Sequence, residues 1–342
     1  MNNIQPKLSI AFFVDSFPVI SETFIVNQVI ALINDGHRVH IFAQSTNATK
    51  QIHPAIIKAG LLRHTTYVHA LPAKRIQKII LFLGRLFQNP NKRNAGLIKY
   101  LFKNNTRKKG MSIYQLISFL DKPEYDILHA HFGFIGNYVL SLKKMGLFPK
   151  AKFITTFHGY DLIVEKNVYE QLFHSCELFT VNTSYTKEKL IDLGCQQSKI
   201  CLLPAGLDTT LFNKKNAVEK GNNLVSLLFA GRLIALKGPL LFIEICKKLK
   251  QNSIVFNGVI AGNGELYNEL QALIKSSGLS NEIKMVGDQI QDEIINLMND
   301  AEVFILPGIV NEGRAETQGL VIQEAQAMEL PVIVSDAGGM KE

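Results

Sequence analysis

Near the end of the chain, two glutamates bracket a glycine where a predicted strand gives way to a predicted helix. Glu316 and Glu324 flank Gly319, and Glu324 lies off the apolar stripe of that helix. A glycine lets the backbone approach a ligand, the first helical turn offers unpaired amides, and a carboxylate one turn later reaches back over them. This arrangement suits a bound nucleoside diphosphate sugar.

Two cations and a second glycine turn point to the same chemistry. Arg232 and Lys237 stand five positions apart, around a turn that follows one predicted strand and opens the next helix. Both side chains can reach one diphosphate and neutralise the charge that develops as it departs; the alternative is ordinary surface charge. Gly262 and Gly264 form a Gly-x-Gly turn after another strand, which either lies beside the nucleotide or is purely structural.

The first half of the chain contributes histidines. His158 follows a predicted strand and precedes Gly159, at the sheet edge where ligands of open α/β sheets bind. A lone histidine is usually structural, but this position makes His158 a candidate functional residue, with Asp161 orienting it or binding an acceptor. His129 and His131 alternate in another strand without a cysteine or carboxylate at metal-ligand spacing, so no metal site is predicted. His131 is expected to line the acceptor side.

Several separate segments together resemble the donor-site signature of one enzyme family, the retaining family-four (group 1) glycosyltransferases. These segments are Glu316-x7-Glu324-Ala325, Leu330–Ile333, Gly338–Glu342, Gly231-Arg232-Leu233 with Lys237-Gly238, the Gly-x-Gly turn and Thr155–Asp161. The resemblance implies the GT-B architecture, in which two doubly wound Rossmann-like α/β domains face a cleft.

The same resemblance implies a role for each candidate residue. Glu324 would hold the ribose, Arg232 and Lys237 the diphosphate, and His158 would contact the transferred sugar or the reacting oxygens. Glu316 and the backbone of Gln318, Gly319 and Leu320 would meet the transferred sugar. One departure is visible, because the family usually has glycine after the first glutamate and this chain has Thr317.

The loop after the first predicted strand resembles a particular subgroup of this family. Its run Ser21-Glu22-Thr23-Phe24-Ile25 resembles one in family members that build bacterial exopolysaccharide and colanic-acid-type repeat units, where the loop borders donor phosphates and acceptor. Ser21, Glu22 and Thr23 are therefore acceptor-side candidates. The alternative for Ser21 is a plain helix N-cap.

Alternating strand and helix patterns predict parallel sheets in both halves of the chain. Residues 1–207 would form the acceptor-side domain, 208–223 the linker and 224–342 the sugar-donor domain. Predicted strands are 8–14, 38–43, 65–71, 126–130, 152–156, 178–182, 226–230, 255–261, 283–286, 303–306 and 332–335. Predicted helices are 22–34, 73–88, 93–108, 111–120, 137–145, 166–175, 185–193, 239–250, 265–277, 291–300 and 319–329. Because family members usually continue beyond this point, the donor domain is expected to be incomplete.

Charge is distributed unevenly along the chain. Residues 36–120 carry 15 Lys and Arg and no acid, whereas the remaining residues carry 22 Lys and Arg against 29 Asp and Glu. Basic and apolar residues alternate over 74–109, a composition typical of helices that lie on anionic lipid headgroups. Solvated helical faces and nucleic-acid binding are the alternatives, and nucleic acid is the least favoured.

The composition favours a cytoplasmic protein. No apolar run reaches the ~18 residues of a membrane span, no signal peptide is evident, and the four cysteines lack metal or disulfide spacing. We expect a retaining, metal-independent hexosyltransferase without cofactors, peripheral at the inner face of the cytoplasmic membrane. It would transfer sugar from a nucleoside diphosphate to a lipid-linked or polysaccharide acceptor. The alternatives are a GT-B epimerase or phosphorylase, or a non-catalytic membrane-surface or nucleic-acid-binding protein.

Overall fold

The computed structural model describes ten stretches of the chain and divides it into two compact units. The described residues are 6–19, 22–46, 52–68, 76–77, 80, 84, 116–120, 122–165, 167–214 and 224–342. The first unit comprises Met1–Val181 and Lys187–Leu203, and the second comprises Asn182–Thr186 and Pro204–Glu342. Ser21, nearly all of the basic segment 74–109 and the helices predicted over 73–108 lie outside the described residues.

The first unit contains a parallel sheet, with seven strands among the described residues, in the order β3-β2-β1-β4-β5-β6-β7. The strands are β1 (Ser9–Ser16), β2 (Arg38–Ser45), β3 (Thr65–Tyr67), β4 (Ile127–His131), β5 (Lys152–Phe157), β6 (Leu178–Val181) and β7 (Ile200–Leu202). The helices are α1 (Thr23–Asn34), α2 (Pro54–Lys58), α3 (Gly133–Lys144), α4 (Glu170–Ser175) and α5 (Ser184–Asp192), the last of which begins in the Asn182–Thr186 segment of the second unit.

The second unit repeats the architecture on a smaller scale. Its described strands form a parallel five-stranded sheet in the order β10-β9-β8-β11-β12. The strands are β8 (Val225–Ala230), β9 (Phe256–Ala261), β10 (Ile283–Gly287), β11 (Val303–Leu306) and β12 (Val332–Val334). The helices are α6 (Pro239–Gln251), α7 (Tyr267–Ser276), α8 (Gln291–Asp300) and α9 (Leu320–Ala327).

Central strands are buried along their length, which explains their unbroken apolar sequence. Ile10, Ala11, Phe12, Phe13 and Val14 of β1 are all buried, as expected for a parallel strand covered on both faces. β1 pairs with β2 and β4, and β8 pairs with β9 and β11. Each central strand thus pairs on both sides, while the edge strands β3, β7 and β12 have only three residues each.

Several predicted boundaries were wrong for physical reasons. Helix α3 begins at Gly133 instead of residue 137, because its first four residues, Gly133–Gly136, include no polar side chain that would mark an amphipathic helix. Strand β3 ends at Tyr67 instead of residue 71. Strand β7 was not predicted, since it has only three residues and its apolar side chains are mostly exposed.

The strand order locates one switch point in each sheet. The chain moves outward from β1 to β3 and then returns to β4, and it moves from β8 to β10 before returning to β11. Ligands of open α/β sheets bind at the carboxyl ends of the strands on either side of such a point. His131 ends β4, and Gly231 follows β8, so candidate residues of both units lie at these edges.

Candidate functional site

Two glycine-containing turns of the second unit are joined through their backbones. The amide of Gly231 donates to Ala261 O (3.0 Å), and the amide of Leu233 donates to Asn263 O (2.9 Å). A Cβ on Gly262 would overlap Gly231 O, and a Cβ on Gly264 would overlap Leu233 O. Both glycines thus have a structural reason to be present: they let the Gly-x-Gly turn pack against the loop that holds Arg232.

The two predicted phosphate ligands differ in their surroundings. Arg232 is exposed, and its guanidinium has no ion-pair partner within the described part of the chain. Lys237 ends a short 3-10 helix before α6, and its Nζ forms an ion pair with Glu316 Oε2. The two paired side chains are only 14% and 13% exposed. Arg232 is therefore available to an anion, while Lys237 already neutralises an acidic neighbour.

Glu316 remains ionised in this site. Burial would raise the pKa of its carboxyl, but the charge and hydrogen bond of Lys237, with the amides of Thr317 and Gly319, hold that pKa below its ordinary value. Gly319 has φ +67°, a conformation that favours glycine, and it is the N-cap of α9. The loop thus presents a carboxylate, a neutralising cation and the start of a helix together.

The side chain of Gln318 is already engaged within the second unit. Its Oε1 accepts the amide of Ala205 (2.9 Å), and its Nε2 donates to Ala205 O (3.1 Å) and Gln323 Oε1 (2.9 Å). This paired contact fixes the Ala205 turn to the start of α9. Only the backbone of Gln318 remains for a ligand, together with the backbone of Gly319 and Leu320.

Glu324 is largely buried on α9 without a partner. Burial raises the pKa of its carboxyl to about 7, and no hydrogen bond or ion pair of this carboxyl occurs among the described residues. Its neighbours Ile322 and Ala325 are buried in the core of the unit. A half-buried acid of this kind is suited to a ligand that supplies hydroxyl groups.

Thr317, the departure from the family pattern, is held by its neighbours. Asn182 Nδ2 donates to Thr317 Oγ1 (3.3 Å), and the amide of Gly339 donates to Glu316 O (2.8 Å). Glu342 accepts the amides of Ser184 and Tyr185 at the start of α5 (2.6 and 2.8 Å). The Gly338–Glu342 motif therefore braces the acidic loop. Glu312, four residues before Glu316, is exposed in a turn with φ +50°.

In the first unit, Asp161 shapes the loop that carries His158. Its Oδ1 accepts the amides of His158 and Gly159 (3.0 Å each), and its Oδ2 accepts the amide of Gly133 (2.7 Å). Burial raises the pKa of this carboxyl to about 6, although the amide bonds oppose that shift. Because both oxygens accept backbone amides, Asp161 holds the loop that carries His158 in shape, and its two predicted roles, orienting His158 or binding an acceptor, stay predictions.

Three uncharged histidines lie together at the ends of β4 and β5, where His129 and His131 are buried and His158 is half-buried. His131 Nδ1 lies 3.0 Å from His158 Nε2, and His129 Nε2 lies 2.6 Å from Thr156 Oγ1, which in turn lies 2.6 Å from Thr180 Oγ1. Burial lowers the pKa of His129 to about 4 and that of His158 to about 3, and it lowers the pKa of His131 well below its ordinary value. All three are uncharged at neutral pH.

Aromatic rings surround these imidazoles, and sequence reasoning missed them. The rings of Phe24 and Phe132 lie 4.6 and 4.7 Å from that of His158, and the ring of Phe12 lies 5.3 Å from that of His131. Thr156 and Thr180 were missed as well. The available signal was a polar residue at a buried position of an otherwise apolar strand.

The start of α1 differs in part from its prediction. Glu22 is the N-cap, so the alternative that made Ser21 the N-cap was wrong, and Thr23 is the first helical residue. Burial, together with the charge of Asp15, raises the pKa of the Glu22 carboxyl to about 7. Ser21 lies outside the described residues. The ring of Phe24, the second residue of α1, lies against that of His158.

Neither a metal-binding cluster nor a membrane-spanning helix occurs in the part of the chain that the structure describes. In that part, no three His, Cys, Asp or Glu side chains are grouped so that they could hold a metal ion. Within the same residues, no helix combines the length and the apolar character needed to cross a membrane.

Two family models together span nearly the whole chain. The model described as Glycosyltransferase Family 4 matches residues 21–211, more than half of the chain, and the model described as Glycosyl transferases group 1 matches residues 209–342.

Curated relatives agree with these models. The putative colanic acid biosynthesis glycosyltransferase WcaL of Salmonella typhimurium is 29% identical over 98% of this chain and 84% of its own length. The amylovoran biosynthesis glycosyltransferase AmsK of Erwinia amylovora is 30% identical over the same shares. The UDP-Gal:alpha-D-GlcNAc-diphosphoundecaprenol alpha-1,3-galactosyltransferase of Escherichia coli is 30% identical over 72% of this chain and 65% of its own length.

The predicted fold is confirmed by solved structures. Anabaena HepE, crystallised in complex with UDP and glucose, superposes with a TM-score of 0.68 at 15% identity, covering 98% of this chain and 82% of HepE. Such neighbours are GT-B glycosyltransferases. With the family models matching both halves, the chain belongs to glycosyltransferase family 4, the group 1 glycosyltransferases.

Proposed function

We propose that this glycosyltransferase moves a hexose from a nucleoside diphosphate sugar, with retention of configuration, onto a lipid-linked or polysaccharide acceptor in bacterial exopolysaccharide biosynthesis. One observation carries the sugar-donor part. The second unit places four features at its switch point: exposed Arg232, the Lys237–Glu316 ion pair, and helix α9, which begins after Gly319. The fourth is Glu324, a carboxyl on α9 that has no partner among the described residues. These are the groups that a diphosphate, a sugar and a ribose need.

Each group has a role that follows from its chemistry. Arg232 offers a planar fork of N–H donors to phosphate oxygens, and Lys237 adds a compact charge near the leaving diphosphate. Because Lys237 also pairs with Glu316, it holds that carboxylate ready for sugar hydroxyls. Glu324 accepts the ribose hydroxyls, and the backbone of Gln318, Gly319 and Leu320 faces the transferred sugar. Such fixed groups stabilise developing charge without reorganising.

The first unit serves the acceptor and the transferred sugar in this proposal. His158 supplies a neutral hydrogen-bonding group, and Glu22 and Thr23 line the acceptor side, with Ser21 assigned there from the sequence alone. His131, which the sequence also assigned to that side, is buried and reaches it only through its hydrogen bond to His158. The galactosyltransferase relative is named for a diphosphoundecaprenol acceptor, which supports a lipid-linked acceptor here. The names of WcaL and AmsK support exopolysaccharide biosynthesis.

Labelled nucleoside diphosphate sugars tested against a polyprenyl-diphosphate-linked saccharide would decide the reaction. We expect the label to reach the lipid phase, with an α-linkage formed from an α-linked sugar donor. Arg232→Ala should lower transfer by roughly 10- to 100-fold, since hydrogen bonds to charged groups contribute ~1.5 to 3 kcal/mol each. Arg38→Ala, an exposed arginine of the first unit, is the matched control.

Other labelled products would indicate a reaction other than sugar transfer. Label that is epimerised, or that is released onto inorganic phosphate, would support an epimerase or a phosphorylase and contradict transfer. We also propose that no metal is required, because Arg232 and Lys237 supply positive charge. Transfer that a chelator abolishes and a divalent ion restores would contradict this.

The basic segment 74–109 supports association with an anionic membrane surface. It carries eleven Lys and Arg and no acid, and each such residue near an anionic surface contributes ~1 kcal/mol. Cosedimentation with phosphatidylglycerol vesicles should therefore be strong at low salt and weak at high salt, and absent with phosphatidylcholine vesicles. Equal sedimentation with both vesicle types, or preference for DNA over either, would contradict this membrane assignment.

A further inference from the structure

Two imidazoles of the first unit, one buried and one half-buried, face each other in a fixed arrangement. His131 on β4 is 1% exposed, and its Nδ1 lies 3.0 Å from Nε2 of His158, which follows β5. The two ring planes differ by only 9°. The other nitrogen of His131, Nε2, is buried and has no hydrogen-bond partner among the described residues.

The position of one hydrogen follows from these contacts. Burial keeps both imidazoles uncharged, so one of the two facing nitrogens carries a hydrogen and the other accepts it. A hydrogen on Nε2 of His131 would leave a buried N–H donor without an acceptor. A hydrogen on Nδ1 leaves only a lone pair unmatched, and buried orphan acceptors are tolerated better than buried orphan donors.

We propose that His131 is a positioning residue whose Nδ1–H donates to Nε2 of His158 and thereby fixes His158 as the tautomer with hydrogen on Nδ1. The inference rests on the proposed function, in which His158 serves sugar transfer. In this tautomer, Nδ1 of His158 can act only as a donor toward an oxygen that it meets. That property suits a hydroxyl of the transferred sugar or a phosphate oxygen.

Packing keeps the His131 ring from turning over. Its ring packs against those of Phe12 (5.3 Å between centroids) and His129 (4.5 Å), which also contact each other (4.8 Å), and His129 Nε2 is hydrogen-bonded to Thr156 Oγ1. A turned ring would place a carbon opposite Nε2 of His158 and break the hydrogen bond. The sequence arrangement His129-x-His131 thus supplies one imidazole that bonds and one that supports it.

Two substitutions at His131 separate the hydrogen bond from the packing. In His131→Asn, the amide nitrogen lies near the place of Nδ1 and can still donate to His158, whereas His131→Leu removes the donor. We expect His131→Asn to keep kcat within about threefold, and His131→Leu to lower kcat by roughly 10- to 100-fold with little change in the KM of the sugar donor, because misplaced groups cost that much. His174→Leu, on the surface, is the control.

The tautomer itself is measured by long-range proton–nitrogen NMR of the full chain labelled at histidine, without substrate. We expect wild-type His158 to be unprotonated on Nε2 and protonated on Nδ1, His131→Asn to match it, and His131→Leu to show a mixture. A wild-type His158 protonated on Nε2 would overturn the inference, as would an unchanged tautomer in His131→Leu. Absence of sugar transfer by the wild type would instead count against the proposed function, because the NMR measurement needs no turnover.

Discussion

The two units hold their candidate residues by opposite means. In the second unit, charged side chains and tight backbone turns dominate, with Arg232 exposed and Glu324 lacking a partner among the residues that the structure describes. In the first unit, His131 and His158 are uncharged, packed against aromatic rings and bonded to each other. Under the proposed function, this contrast corresponds to a division of work, in which the second unit meets a ligand whose charge changes and the first recognises shape and hydrogen bonds.

The largest effect is expected where the charged network is broken. Lys237→Met leaves Glu316 buried without its cation, and removing one partner of a buried ion pair costs about 3 to 5 kcal/mol. We predict a loss of transfer greater than about 100-fold, with a lowered unfolding free energy measured by urea titration.

A matched lysine of the same unit provides the control for Lys237. Lys247 pairs with Glu244 on the exposed face of α6, so Lys247→Met should stay within about 0.5 kcal/mol of wild type. Equal losses of stability and of transfer in Lys237→Met and Lys247→Met would contradict the importance assigned to the buried Lys237–Glu316 ion pair.

In the first unit, the sharpest effect is expected at Asp161. Asp161→Asn replaces one acceptor oxygen by an N–H donor that must face a backbone amide, so a buried bond is lost at a cost of about 1 to 3 kcal/mol. We predict a fall in Tm of about 2 to 12 °C, given the typical response of domains of this size. Calorimetry with exposed Asp192→Asn as control checks it. A neutral result would mean that the amide contacts do not shape the His158 loop.

The smallest predicted effect depends on pH. Burial raises the pKa of Glu324 to about 7, so the carboxylate that accepts ribose hydroxyls becomes the main form only above that pH. Affinity for a nucleoside diphosphate should therefore rise roughly tenfold between pH 6 and pH 8. Stability of the unliganded protein should follow the opposite sign, falling as pH rises from the unfolded pKa through 7, because the folded state binds the additional proton.

Glu324→Gln cannot titrate and provides the comparison. Its affinity for the same nucleotide, followed by calorimetry, should be lower at pH 8 and nearly constant across the range. An equally steep pH dependence in this variant would assign the titration to another group.

The second unit's site could be predicted from the sequence because its determinants are local. Arg232 and Lys237 belong to one turn, and Glu316 and Glu324 belong to one loop and helix, so residue type and spacing suffice. The Lys237–Glu316 ion pair joins segments that are far apart in the chain, so no local sequence pattern predicts it.

The first unit's site depends on residues from several strands and a helix. The cluster is built from β1, β4, β5, β6 and α1, and the identity of its partners follows from the strand order alone. The sequence therefore indicated His131 and His158 but neither their mutual hydrogen bond nor the aromatic rings around them. It also predicted the parallel sheets well, because buried strands are long and apolar, and it missed β7, which is short and exposed.

Nucleoside diphosphate binding by isothermal calorimetry, measured on wild type, Arg232→Ala and His131→Leu, tests the central claim most directly. We predict that UDP or another nucleoside diphosphate binds the wild type, that Arg232→Ala weakens binding by roughly 10- to 100-fold, and that His131→Leu leaves it unchanged. Binding that is insensitive to Arg232, or that is lost equally in both variants, would contradict the assignment of the nucleotide to the second unit.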